Sequence, residues 1–380
     1  MCKSYFTVLF ASAALTVWAA AAQEPVVYAT GLNNPSKIII GPNGTLLIAE
    51  AGTTTPNTAR VSLITASGAR STLLDALPSG VFEGGADGAN GLLLEGNTLY
   101  VAIGQGDQLV DGTDQGTTVP NPKATSSPIF GTVLQVDFTQ SPDRLTAPFT
   151  LKSTDQYTLA DGNSVTLDNG SGDKAMVSVL SSFRFRPDAQ TIYRNTHPYA
   201  LARTTSDTSH VYMADAGLNS LVQIDTPSGR ARTLVQFPVQ PNFAGGGPPV
   251  SEAVPTSVHA YENVLLVTLF TGFPFGPANS RVVSVDPTSG AVSPFINWLS
   301  SAIDIAYRDR PSRAQFFVLE HSAALLAGAP GKLLVYNSTD GTVMLDNLNS
   351  PTSLALDDAA GKIYITSRAA GNVIQVDIGK

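Results

Sequence analysis

Cysteine is nearly absent: the 380 residues hold one, Cys2, so neither an intramolecular disulfide nor a cysteine-built metal site is open to the chain. Charge is sparse too, at 14% Asp, Glu, Lys and Arg, and aromatic residues make up 8%. With 33 glycines and 25 prolines, that composition suits an all-β chain dense in turns rather than a disordered one. Basic charge is in deficit, with a net of −8, which argues against nonspecific nucleic-acid binding. No Gly-x-Ser-x-Gly elbow, phosphate-binding glycine loop or His-Glu-x-x-His occurs. Serine-triad, nucleotide-driven and zinc-protease chemistry therefore lose their usual support.

Residues 1–22 pair Lys3 with an apolar run from Tyr5 to Trp18 and end in Ala20-Ala21-Ala22, the pattern of a secretory signal peptide cleaved before Gln23. The run is shorter than the ~20 residues of a spanning helix, so no stable membrane span is expected after leader removal, and the mature chain is expected to be secreted or periplasmic. Removal also takes Cys2, leaving no thiol, and takes the net charge one unit lower.

What the chain does have is repetition. Between His197 and Pro238 four short apolar runs (200–202, 210–214, 220–224, 232–235) are each cut off by a turn-forming cluster, the signature of a small antiparallel sheet. Second-strand copies begin at Leu46, Leu99, Val211, Leu265, Phe316 and Ile363, and third-strand copies at Arg60, Thr132, Ser220, Arg281, Lys332 and Asn372. The tetrads Leu134-Gln135-Val136-Asp137, Val222-Gln223-Ile224-Asp225 and Ile374-Gln375-Val376-Asp377 alternate apolar with polar, which no single helix face can absorb. Four-stranded units at roughly 45 to 55 residues predict a six-bladed β-propeller. The chain ends after a third strand, Val373 to Ile378, and the mature chain begins with a lone run, Pro25 to Ala29, that resembles a fourth strand. The N-terminal strand is thus expected to complete the C-terminal blade and hide both edges. Residues 23–380 form a single domain, expected to be monomeric.

Two stretches break the period. Blade two, starting at Asp87, detours from Gly104 to Pro128 with Asp107, Asp111 and Asp114; their spacing is not that of a helix-loop-helix calcium site, and a solvated loop is the simpler reading. About 141–196 is expected to be an insertion, a polar hairpin with strands at Tyr157-Thr158-Leu159, Val165-Thr166-Leu167 and Ala175 to Leu180; the alternative is a degenerate seventh blade. Blades three to six start near His197, Pro255, Ser301 and Pro351.

In a propeller, the loops joining second to third strands and one blade to the next share a face around the channel mouth. That places Asn34, Glu50, Asp87, Asn90, His197, Asp215, Glu252, Asp304, Glu320, His321 and Arg368 there, with Phe273 and Phe275 as a wedge between prolines. Such a set could hold a calcium ion through six to eight oxygens or supply a general base. The competing reading is structural: Glu50 and Asp215 close equivalent strands, where a carboxylate caps the next turn, and His210 and His259, inside strands, pack.

His197-Pro198-Tyr199, Met213 to Asn219, Val254 to Ser257, Thr271 to Phe275, Ile303 to Ala306 and Leu319-Glu320-His321 resemble the ScyD/ScyE family of exported propellers with NHL-like repeats, over nearly the whole mature chain. The departure is at Asp161 to Lys174, where that family carries a helical connector. The resemblance implies a six-bladed secreted propeller and transfers no catalytic site. The leading expectation is a noncatalytic propeller binding a protein partner or small ligand at the channel mouth. The rivals are a calcium-dependent lactonase or esterase like the gluconolactonase and paraoxonase propellers, with Glu50, Asp215, Asp304 or Glu320 as ligands and His321 or His197 as base, and a quinone-dependent sugar dehydrogenase.

Overall fold

In a computed structural model, residues 24–113, 118–183, 186–187, 193–243, 246–311, 313–337 and 340–379 are described; the leader lies outside them. Six sheets of four or five strands form the blades, and in each the consecutive strands run as an antiparallel meander. The first strands are Pro35–Ile40, Ala89–Glu95, Pro198–Ala202, Pro255–Tyr261, Ala302–Arg308 and Pro351–Asp357. Each first strand touches the first strand of the next blade, and blade six touches blade one, so the ring is closed. As the repeats require, Val26–Thr30 pairs with Asn372–Asp377 as the fourth strand of blade six, with Val26 opposite Gln375 and Thr30 opposite Asn372.

A single blade cannot bury both faces, and the burial shows how neighbours do it. Six apolar clusters occur, one at each blade junction; Leu47, Leu74, Leu92 and Val101 fill that between blades one and two, and Ile38, Ile48, Tyr364 and Val373 that between blades six and one. Fully buried aliphatic side chains of this kind contribute about 1.5–3 kcal/mol each.

Every first strand also carries a register shift at the same place, after Pro35, Ala89, Pro198, Pro255, Ala302 and Pro351. The extra residue is Ser36, Asn90, Tyr199, Thr256, Ile303 or Thr352, and the next (Lys37, Gly91, Ala200, Ser257, Asp304, Ser353) resumes the ladder. A bulge re-aims a side chain, so this sixfold feature sets what each blade presents to the axis.

The 141–196 segment is a different object from the expected appended hairpin. Residues 157–159 lie in a helix, Ser153–Ala160, not a strand; the Asp155 carboxylate accepts the Lys152 N–H at 2.8 Å at its N-terminus, a favourable place for negative charge. Lys174–Ser182 is the fourth strand of blade two itself, and Val165–Asp168 pairs outside it as a fifth. Phe149–Thr150 pairs in parallel with the outer strand of blade one, Arg70–Leu77. Phe149, Leu151, Leu159 and Leu167 are buried in the cluster between blades one and two, and Gln156 Nε2 donates to Asn57 Oδ1 at 2.9 Å. The insertion is a clamp over that junction, and no seventh blade is present among the described residues. No helix among them is long and apolar enough to cross a membrane.

Candidate channel-mouth site

Three of the predicted acids end second strands at equivalent positions in alternate blades, and each is turned back on its own blade. Glu50, with no exposed surface, accepts Arg60 Nε and Nη2 at 2.9 and 2.8 Å, the Asn33 N–H at 2.5 Å, and Arg70 and the Ser62 hydroxyl. Asp215 accepts the His197 and Leu218 N–H groups, both at 2.9 Å, and the Thr196 hydroxyl at 2.6 Å. Glu320 accepts the Ser300 N–H at 2.7 Å and faces Lys332 Nζ at 3.3 Å. All three fasten the strand that enters their blade. Burial pushes the Asp215 and Glu320 carboxyls up, against the pull of those donors.

Asp304 belongs to a hub on the axis rather than to the mouth. The position after the bulge places Lys37, Asp304 and Ser353 on adjoining blades. Lys37 Nζ is 2.7 Å from Asp304 Oδ2, which also accepts the Ser353 hydroxyl at 2.6 Å and the Leu354 N–H at 3.1 Å. Oδ1 takes His259 Nε2 at 2.7 Å and the Ile305 N–H at 3.0 Å. Burial alone would raise this carboxyl; Lys37 and His259 overrule it and hold it well below the carboxylate range. His259, expected only to pack, thus joins blade four to blades one, five and six.

The mouth is built from the remaining candidates. A two-stranded hairpin (Gly80–Phe82 with Gly85–Asp87) leads into blade two; its turn, Glu83-Gly84, has φ +48° and +74°, the geometry of a two-residue hairpin loop. It delivers Asp87, whose Oδ1 accepts from Asn90 Nδ2 at 2.8 Å and lies 3.1 Å from His197 Nε2, while Oδ2 accepts the Gly106 N–H at 2.7 Å. Asn90 Nδ2 is also 3.1 Å from His197 Nε2. Burial would neutralise both members of the Asp87–His197 pair, but each holds the other charged: the carboxyl is lowered and the imidazole raised. The His197 ring meets Phe82 and Tyr199 edge-on, at 5.7 and 5.8 Å.

Arg368, from blade six, donates through Nη2 to the Ala86 carbonyl at 2.5 Å and through Nε to Asn34 Oδ1 at 3.2 Å. It therefore stands beside the hairpin that carries Asp87. Its own N–H bonds to the Ser350 carbonyl at 3.0 Å, one residue from the Pro351 carbonyl that faces His321 Nδ1 at 2.8 Å. Phe270 is 6.0 Å from the His321 ring and 6.2 Å from Phe275, which meets Phe273 edge-on at 6.3 Å. Phe275 is half-buried wall; Phe273 is exposed. Glu252 backs this loop, its carbonyl accepting the Gly272 N–H at 2.9 Å.

These contacts bring Asn34, Asp87, Asn90, His197, His321, Arg368, Phe273, Phe275 and Glu252 to one face and leave Glu50, Asp215, Glu320 and Asp304 in structural roles. The donor set does not fit calcium. Among the described residues no group of three or more His, Cys, Asp or Glu side chains is placed to share an ion, and the carboxylates expected as ligands already accept donors from the ring itself, Asp304 from blades one, four and six as well as its own. Asp107 likewise accepts the Ser126 N–H at 3.0 Å; Asp114 lies outside the described residues.

Sequence reading missed Tyr199, Lys37 and the hub role of His259. The first strands carried the signal: aligned on their bulges, Lys37, Asp304 and Ser353 fall on one position, and Tyr199 aligns with Ser36 and Thr352.

No family model and no curated protein matches the chain. Solved structures do: a glucose dehydrogenase with a TM-score of 0.51, 15% identity, and coverage of 94% of this chain and 100% of that one; and the soluble aldose sugar dehydrogenase of Escherichia coli, with a TM-score of 0.50, 12% identity, and coverage of 94% and 99%. Both are similar in fold, and at these identities the likeness is to the six-bladed ring alone.

Proposed function

We propose that this chain is an exported, noncatalytic propeller of the ScyD/ScyE type that binds a small polar ligand at its channel mouth. One observation carries the reading: the mouth gathers side chains with unspent hydrogen-bonding capacity from several blades, while the carboxylates that could have activated water already accept donors from the ring. Arg368 engages two of its N–H groups, and neither the Tyr199 hydroxyl nor His321 Nε2 has a partner among the described residues. A few convergent polar groups beside aromatic side chains are the lining that orients a small ligand.

His321 supports a second reading. Burial pushes its imidazole down, with Arg368 adding to the effect, and Nδ1 facing a carbonyl leaves Nε2 as a lone-pair acceptor. That is the form of a general base, although no serine or threonine hydroxyl is hydrogen-bonded to either mouth histidine among the described residues. Thermal shift and calorimetry against neutral sugars, sugar acids and lactones, run beside a lactone and aryl-ester hydrolysis screen, separate the two. Binding without turnover is the expected result. Turnover that disappears in His321→Gln overturns the noncatalytic reading.

A further inference from the structure

The polar groups of the mouth are unequally answered, and this narrows the ligand. Tyr199 rises from blade three with its ring 5.8 Å from that of His197, and His197 Nε2 stands 3.1 Å from Asp87 Oδ1. Asp87 is the chain neighbour of Ala86, whose carbonyl accepts from Arg368 Nη2, so groups from blades three and six border the same hairpin.

Arg368 is half-buried and has no carboxylate partner among the described residues. The Ala86 carbonyl and Asn34 fix the plane of its guanidinium, and the unspent N–H groups form the fork that matches a carboxylate. Asp87, by contrast, is matched by His197. Two buried hydroxyls either side of the entry into blade four, Ser251 Oγ and Thr256 Oγ1, also lack hydrogen-bond partners; groups of this kind want a ligand or water.

We propose that the mouth binds a small hydroxylated carboxylate, of the sugar-acid class, with its carboxylate on Arg368, the Tyr199 hydroxyl donating to it, and a hydroxyl toward His321 Nε2. This rests on the binding reading above and specifies its ligand. An uncharged sugar leaves the guanidinium unanswered; a bare anion leaves His321 Nε2 unused.

The test is calorimetry on the mature protein with D-glucuronate and D-gluconate, against D-glucose and sulfate. Sugar acids are expected to bind, and glucose and sulfate to bind at least ~10-fold more weakly, since a charge-assisted hydrogen bond is worth more than the 1.4 kcal/mol of one decade. Arg368→Gln should lose at least ~10-fold for the acids with little change for glucose. Tyr199→Phe, which removes only a hydroxyl, should weaken the acids by a smaller factor and guards against misfolding of the arginine variant. Glucose binding as tightly as glucuronate, with Arg368→Gln indifferent, overturns the carboxylate assignment and leaves the binding reading standing. Failure of all four probes overturns the assignment; if the wider neutral panel also fails, the binding reading falls with it.

Discussion

The hub is made from the first strands of its blades and the mouth largely from the turns that follow second strands and lead between blades, and the two differ in saturation. Asp304 receives donors from Lys37, His259, Ser353 and two backbone N–H groups, which exhausts the lone pairs of a carboxylate. Nothing is left over for a ligand. At the mouth, Arg368, Tyr199 and His321 keep unspent donors and acceptors. A buried polar cluster that is fully answered fixes a structure, whereas one left partly open can accept something else. Saturation, more than residue type, therefore separates Asp304 and Glu50 from the binding groups; Glu320 lies between, its Oε2 facing Lys332 Nζ at 3.3 Å but accepting no hydrogen bond among the described residues.

The hardest test of that contrast is Asp304→Asn. It strands the Lys37 ammonium in the interior, and breaking a buried pair by removing one partner costs about 3–5 kcal/mol; the denaturant midpoint should fall accordingly at unchanged slope. Adding Lys37→Met should restore part of the loss, because the stranded charge is gone. A loss below ~1 kcal/mol in the single variant would put the hub on the same footing as the mouth. Glu50→Gln comes next, at about 2–3 kcal/mol, since Arg60, Arg70 and Ser62 lose their charged acceptor.

Acid titration reads the same contrast without mutation. The folded Asp304 carboxyl lies below its ordinary value, so as pH falls the unfolded chain takes up the proton first. Its stabilisation is whole above about pH 4 and drains away as pH drops through the folded value. Asp304→Asn should flatten this limb. His197 has the opposite sign: its imidazole is raised, so its contribution is whole below about pH 6.5 and disappears as pH rises through the folded value. His197→Gln should remove that alkaline slope at a cost of about 1–2 kcal/mol. Tyr199→Phe should be the quietest change, within about 0.5 kcal/mol in the ligand-free protein, because its hydroxyl has no hydrogen-bond partner among the described residues. A larger cost would show that the mouth is saturated like the hub.

The ring, its blade starts and its closing strand were legible because strand period and turn clusters are local, and six copies reinforce one another. The saturation of the acids was not. Glu50 and Arg368 read alike as charged residues at loop ends; what separates them is whether Arg60, ten residues on, folds back. The helix at Ser153–Ala160 escaped because two turns with only Gln156 and Leu159 buried are too short to display a 3.6-residue period, and Thr158 and Tyr157 suit a strand. Its one usable signal was Asp155, three residues after Lys152.

The clamp over blades one and two has an effect at the outer rim. Phe149–Thr150 and Val165–Asp168 pair with the outer strands of those two sheets, so a foreign strand meets only short edges there. The other four rims end in bare strands, and they repel such visitors by side-chain chemistry instead: Arg232 in blade three, Pro294 in blade four and Asp346 in blade five. Sideways self-association of this protein, if provoked, should begin on the unclamped two-thirds of the wheel, and at blade six before the rest, where Val26 and Val27 stand exposed.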